Sequence, residues 1–267
     1  MTPTEYLDHI FAEFPPAQKL LREVRDFYGP VLRIELTDNP NGVGGYGIDL
    51  GQQTLRVSEA VIRLNTTTDR IAAAATHELL HLVQPIRGFN VICTLSPDPF
   101  HRKQMAHVQT VLHKIENIIH HDIFLDEFLA TGLPLSQFMV EGRRVIPKYK
   151  AEARSYRGTV LTKATAWYAW SWWMFEFLNN HIAIRHGDQE AQAYAGSTEK
   201  FGSRVLPKFK HETKRIREWV AAGKHRQPDS YMDAIRSLIG LLHLPRVQTF
   251  GSLQRADGTA PRVVPIA

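Results

Sequence analysis

Residues 77–81 read HELLH, and their side chains could bind a metal ion and use it. Two histidines four residues apart project about 40° from each other on an α-helix, so His77 and His81 can reach one cation. Glu78, beside the first histidine, could take a proton from a water that the cation activates. Apolar residues on both sides of this HExxH motif predict a helix that ends at Pro85. We therefore predict His77 and His81 as ligands and Glu78 as a general base.

A catalytic zinc site needs a third protein ligand and one open position. The next long helix, predicted for residues 100–128, supplies several candidates. His113, Glu116 and His120 are spaced i, i+3 and i+7, which places them on one helix face. A polar row among isoleucines would be costly to bury unless it bound a metal or formed a hydrogen-bond network. The residues themselves leave Glu116, His120 and His121 open as the third ligand.

An HExxH helix followed by a candidate acidic ligand on a later helix resembles the zincin metallopeptidases and, within them, the gluzincins. The resemblance covers about residues 61–132 and implies Zn²⁺ bound by His77, His81 and Glu116, with Glu78 as the base. Gluzincins often carry an aspartate four residues after the ligand glutamate, and this chain departs from that pattern with His120. We assign His120 a catalytic role, as an oxyanion donor, as a partner of a ligand or as the third ligand itself.

A rival third ligand is His101, twenty residues after His81. Three histidines in that order look like the SprT-like proteases, which act on proteins attached to DNA. The cysteine-rich zinc segment that many of those proteins carry is not found in this chain. The metzincin extension, HxxGxxH after the motif, is also absent from the sequence.

Composition places the chain among ordinary soluble proteins, with 43% hydrophobic and 22% charged residues. The one cysteine, Cys93, excludes an internal disulfide and a zinc site built on cysteines, and it fits a reducing compartment. The amino-terminal residues lack a signal-peptide pattern, so we expect a cytoplasmic protein. The most apolar stretch, residues 164–178, is too short to span a bilayer, so no membrane partner is predicted.

Charge is unevenly distributed along the chain. Residues 142–226 contain 17 basic and 7 acidic residues, whereas the remainder contains 15 basic and 20 acidic residues. A basic carboxy-terminal half could bind nucleic acid or an acidic peptide. Solvated helix faces would produce the same count.

Alternating, β-rich segments before the motif and helical patterns after it predict an α+β, mostly helical fold. A small amino-terminal sheet is expected to pack on the HExxH helix, followed by a helical carboxy-terminal half. We divide the chain into a zincin-like catalytic domain (1–141), a basic, aromatic-rich helical region packed on it (142–245) and a loose tail (246–267). The aromatic-rich helix predicted for residues 165–185 is expected in the core.

The leading functional hypothesis is a zinc-dependent peptidase that acts on a protein or peptide. The substrate would lie extended along an edge strand at residues 46–50. Candidate oxyanion donors besides His120 are His113, Tyr156, Arg157, Tyr168 and His181. The alternative is a zincin-like regulatory or nucleic-acid-associated binding module.

Overall fold

The computed structural model describes residues 1–38, 45–50, 56–89, 91–94, 105–138, 163–205, 209–242, 248–255 and 259–266. The chain forms two compact units. The first contains Met1–Cys93, Ile123–Val140 and Thr249–Ala267, and the second contains Thr94–Asp122 and Glu141–Gln248. This division differs from the predicted domain 1–141, because residues 94–122 group with the later half of the chain. The boundary at residue 122 falls inside one continuous helix, Met105–Ala130.

The first unit begins with two helices and a sheet. Their bounds are α1 (Pro3–Ile10), α2 (Pro15–Tyr28), β1 (Leu32–Thr37), β2 (Gly45–Leu50) and β3 (Val57–Asn65). The order in the sheet is β1-β3-β2, with β1 parallel and β2 antiparallel to β3. The next three elements are the motif helix α3 (Ile71–Ile86), β4 (Val91–Thr94) and α4 (Met105–Ala130), followed by the short helix α5 (Leu135–Phe138).

The sheet and α3 share one apolar core. Ala60, Ile62 and Leu64 alternate along β3 and pack with one face of the strand in this core, while the intervening Val61 is also buried. Leu79 and Val83 of α3 are buried in the same cluster of side chains. The prediction of a mostly helical α+β fold with a small sheet is therefore confirmed.

Polar contacts fix α3 to its neighbours within the first unit. The hydroxyl of Tyr28 at the end of α2 donates to the carbonyl oxygen of Leu82 at 3.1 Å. The guanidinium of Arg87, directly after α3, pairs with Glu23 of α2 and Glu127 of α4. The motif helix is thus attached by hydrogen bonds as well as by apolar packing.

The predicted loose tail is wrong, because the carboxy-terminal residues form a hairpin of β5 (Gln248–Gln254) and β6 (Arg262–Ile266). These strands complete a second sheet in the order β4-β5-β6. Leu253 and Val263 are buried in the core of the first unit. Arg255 donates to the carbonyl oxygens of Asp26 and Phe27 at the end of α2. Apolar burial and these backbone contacts outweigh the turn-forming composition of the segment.

The second unit combines the first part of α4 with four later helices. These are α6 (Lys163–Arg185), α7 (Gln189–Val205), α8 (Phe209–Ala222) and α9 (Pro228–Leu241). Trp173 and Phe177 of α6 are fully buried, which confirms the core position predicted for the aromatic-rich helix. None of the helices in the described ranges combines the length and apolarity needed to cross a bilayer.

Candidate metal centre

The two motif histidines lie one turn apart on α3. Their ring centroids are 4.8 Å apart and the ring planes are inclined at 76°. His81 is completely buried, whereas 22% of the His77 side chain is exposed. The pair therefore has one ring inside the core and one ring at its border, where solvent can reach it.

Aromatic side chains surround the two imidazoles. Tyr46 of β2 stacks on His81, with centroids 4.2 Å apart and planes at 7°. Phe124 of α4 presents an edge-on contact to His81 at 4.9 Å and to His77 at 5.8 Å. Phe138 of α5 contacts the His77 ring at 5.3 Å. These contacts restrict the orientation of both rings before any ion binds.

His121 of α4 completes a cluster of three histidines. One ring nitrogen from each of His77, His81 and His121 lies within 4.8 Å of the others. His121 and Phe124 are three residues apart and share a helix face, so the face that contacts the motif histidines also carries His121. Among the described residues, this is the set of histidine, cysteine and acidic side chains that could hold a metal ion.

The donor set fits a divalent metal such as zinc. Tetrahedral zinc with Zn–N distances of about 2.0–2.1 Å holds its nitrogens about 3.4 Å apart. Ring nitrogens within 4.8 Å of one another are close enough for His77, His81 and His121 to share one such ion. His77 and His121 are only half-buried, so the cluster is accessible from one side. Catalytic zinc sites generally use three protein ligands, whereas structural sites use four.

Comparisons of this chain with known protein families, with curated proteins and with solved structures find no match.

Glu78 lies beside the cluster and is 9% exposed. Its Oε1 is 3.3 Å from Nδ1 of His77. A proton on Nδ1 would donate to this carboxylate and leave Nε2 of the same ring as the ligand atom. With Nε2 as the ligand atom, this contact lies on the side of the ring away from the ion and orients the His77 imidazole.

Glu116, the expected third ligand, is not part of the cluster. It precedes His121 by five residues, which places the two side chains about 140° apart around α4. Burial raises the pKa of Tyr231 in α9, and the negative charge of Glu116 raises that pKa further. Glu116 is therefore close to Tyr231 in the second unit, and the structure brings His121 to the motif histidines in its place.

His120 is also outside the cluster. Its side chain is buried, and burial, followed by the charge of His113, lowers its pKa to about 3. His120 is therefore neutral at neutral pH. It projects about 100° from His121, so the two neighbouring imidazoles serve different faces of α4.

The remaining predicted residues fall into two groups. His101, Tyr156 and Arg157 lie outside the described residues, as does the side chain of Tyr168. His181 of α6 accepts a hydrogen bond from Nε of Arg217 at 3.4 Å in the second unit. Burial and the charge of Arg217 lower the pKa of His181 to about 4.

Two residues of this region were not predicted in their observed roles. Tyr46 was assigned to the edge strand but not to the face of a candidate ligand. Asp122, directly after His121, has a fully buried carboxylate. Burial would raise its pKa, but hydrogen bonds from His186, His225 and Arg226 hold that pKa well below its usual range. The available signal was an acidic residue placed between two histidines and the apolar run at residues 123–125 of α4.

Proposed function

We propose that this protein is a zinc-dependent peptidase whose ligands are His77, His81 and His121. The observation that supports it is the convergence of these three imidazoles, from α3 and α4, beside the carboxylate of Glu78. A purely structural site has no need of a general base, so a glutamate at the second position of the HExxH motif favours a hydrolytic role.

Zinc, when bound, would supply a Lewis acid that makes water a nucleophile near neutral pH. Glu78 accepts the proton of the attacking water and passes it to the leaving amine. The ring contacts of Tyr46 and Phe124 hold the His81 imidazole in one orientation, which reduces the reorganisation needed when a ligand set closes. Limited exposure of Glu78 keeps its carboxylate poorly hydrated, which strengthens its interaction with a nearby water.

The position of β2 supports an extended peptide as substrate. In the described sheet β2 pairs on one side with β3 and lies at the edge. Tyr46 connects this strand directly to the ring of His81. A peptide that added to β2 by backbone hydrogen bonds would therefore run beside the candidate metal centre.

The test is Glu78→Gln, which keeps the size of the side chain and removes the base. Zinc content should stay near one equivalent, while hydrolysis of a mixed peptide pool should fall by about 10²–10⁴-fold. Glu13→Gln, at an exposed glutamate after α1, is the matched control and should keep full activity. Persisting hydrolysis in Glu78→Gln, or a wild-type protein without zinc, would contradict the proposal.

A binding module that uses the basic half of the chain is the alternative. In α8, Lys214, Arg215 and Arg217 pair with Glu218, Glu212 and Glu199, which neutralises part of their charge. These described contacts do not favour a nucleic-acid surface over solvated helix faces. Retention on DNA that falls steeply with salt, in a protein with zinc but without peptidase activity, would favour the module.

A further inference from the structure

We infer that Asp122 is a positioning residue, which anchors the turn of α4 that carries His121. The inference rests on the proposed function, because it assigns Asp122 a role through the third zinc ligand.

Both oxygens of Asp122 are fully engaged. Oδ1 is 2.5 Å from Nε2 of His186 and accepts from Nη2 of Arg226 at 2.7 Å. Oδ2 is 2.6 Å from Nε2 of His225 and accepts from Nε of Arg226 at 3.0 Å. The paired bonds from Arg226 fix the plane of the carboxylate as well as its position. A carboxylate held from several directions resists both rotation and sliding of its helix.

The partners of Asp122 are themselves fixed. His225 is completely buried and stacks on Trp219, with centroids 4.3 Å apart and planes at 9°. Arg185, at the end of α6, donates to the carbonyl oxygen of Val220 at 2.9 Å and lies 3.5 Å from Oδ2 of Asp122. The anchor therefore belongs to a packed part of the second unit and not to a mobile surface.

The position of His121, the residue before Asp122, depends on the register of α4. Each residue step turns an α-helix by about 100°, so a shift of α4 by one residue would swing His121 away from its face. Replacing a buried ion pair by apolar groups is often neutral or stabilising, so stability alone does not explain a buried carboxylate. Polar groups that specify one register are the best-supported use of such pairs. Asp122 is such a buried polar group, and it directly follows His121, the proposed ligand that comes from α4.

The experiment measures zinc affinity in a double-mutant cycle of Asp122→Asn and His121→Ala. Zinc is titrated against a chromophoric chelator, and Co²⁺ absorption reports the coordination geometry. Asp122→Asn should weaken zinc binding by about 10–100-fold and change the Co²⁺ spectrum. In the His121→Ala background, Asp122→Asn should change affinity less than about threefold, because the ligand it positions is already absent. Glu199→Gln, which breaks the pair with Arg217, is the control and should leave zinc affinity unchanged.

The outcomes separate the inference from the proposed function. A wild-type protein that binds no zinc contradicts the proposed function. Zinc binding that needs His121 but is unchanged in Asp122→Asn overturns the positioning role alone. Equal losses in both backgrounds also overturn it, because Asp122 would then act on the fold in general. If Asp122→Asn does not fold, the half-buried Arg226→Gln is measured in the same cycle and should weaken zinc binding by about threefold to tenfold.

Discussion

Replacing His121 by alanine should weaken zinc binding at least about a hundredfold, whereas replacing Glu116 should not. Structural zinc sites with four ligands bind with roughly 10–16 kcal/mol, or about 3 kcal/mol for each ligand. A loss of about 3 kcal/mol corresponds to somewhat more than a hundredfold in the dissociation constant. His121 is half-buried, so its truncation removes a ligand without opening a large cavity. Glu116 lies about 140° further round α4 and interacts with Tyr231.

The assay is zinc competition at fixed pH and ionic strength against a chelator of known affinity. Glu116→Gln is the matched control, because it changes the residue that the family resemblance favours on the same helix. Both variants need an unfolding transition close to that of the wild-type protein, so that a lost ligand is not confused with a lost fold. Stronger loss of zinc in Glu116→Gln than in His121→Ala would refute the assignment of the third ligand and restore the glutamate.

Three further perturbations address other contacts. Tyr46→Ala removes the stack on a motif histidine and should lower zinc affinity about twofold to tenfold, while Tyr46→Phe should not; a loss in both would implicate the hydroxyl instead. Gly251→Ala would place a methyl group in steric conflict with Cγ1 of Val263 and should lower the free energy of unfolding by about 1–3 kcal/mol in urea. Its control, Gly240→Ala, meets nothing within 4 Å in α9 and should not destabilise. His181 has a pKa of about 4 in the folded protein, below its value in the unfolded chain. As the pH falls below about 6.5, the unfolded chain binds a proton that the folded protein does not, so the free energy of unfolding decreases. At pH 7 this effect is negligible. His181→Gln should therefore reduce the loss of unfolding free energy between pH 7 and pH 5 by about 1 kcal/mol, and an unchanged pH dependence would contradict this origin.

The sequence predicted the sheet and the motif helix because both follow from local patterns. Alternation in β1 and β3 and the apolar body of α3 depend on neighbouring residues only. The hairpin of β5 and β6 was missed because its partners are distant in sequence. Val57 pairs with Pro261 through a 2.7 Å backbone hydrogen bond, across about two hundred residues. Glycine and proline in the tail favour turns locally. Such a local pattern does not predict a pairing between residues that are distant in sequence.

The sequence did not identify the third ligand, because α4 carries two rows of side chains with the same helical spacing. His113, Glu116 and His120 form one row at i, i+3 and i+7, and His121, Phe124 and Phe128 form another. The first row is the more conspicuous one in the sequence because it is polar. The second row faces the motif, and its aromatic members signal the buried contact, since Phe124 touches both motif histidines. Choosing between the rows requires the helix contact itself.

The identity of the third ligand changes the electrostatics of the centre. A glutamate would neutralise part of the charge of a divalent ion, whereas three neutral imidazoles leave that charge uncompensated by the ligands. Glu78, the one acidic residue of α3, contacts the His77 ring and would then supply negative charge to the centre through that ligand. Its contact with Nδ1 of His77 also holds that ring in the tautomer that binds through Nε2. Glu78→Gln should consequently weaken zinc binding somewhat as well as remove the base, and a carboxylate that acts only on water would leave the zinc affinity unchanged.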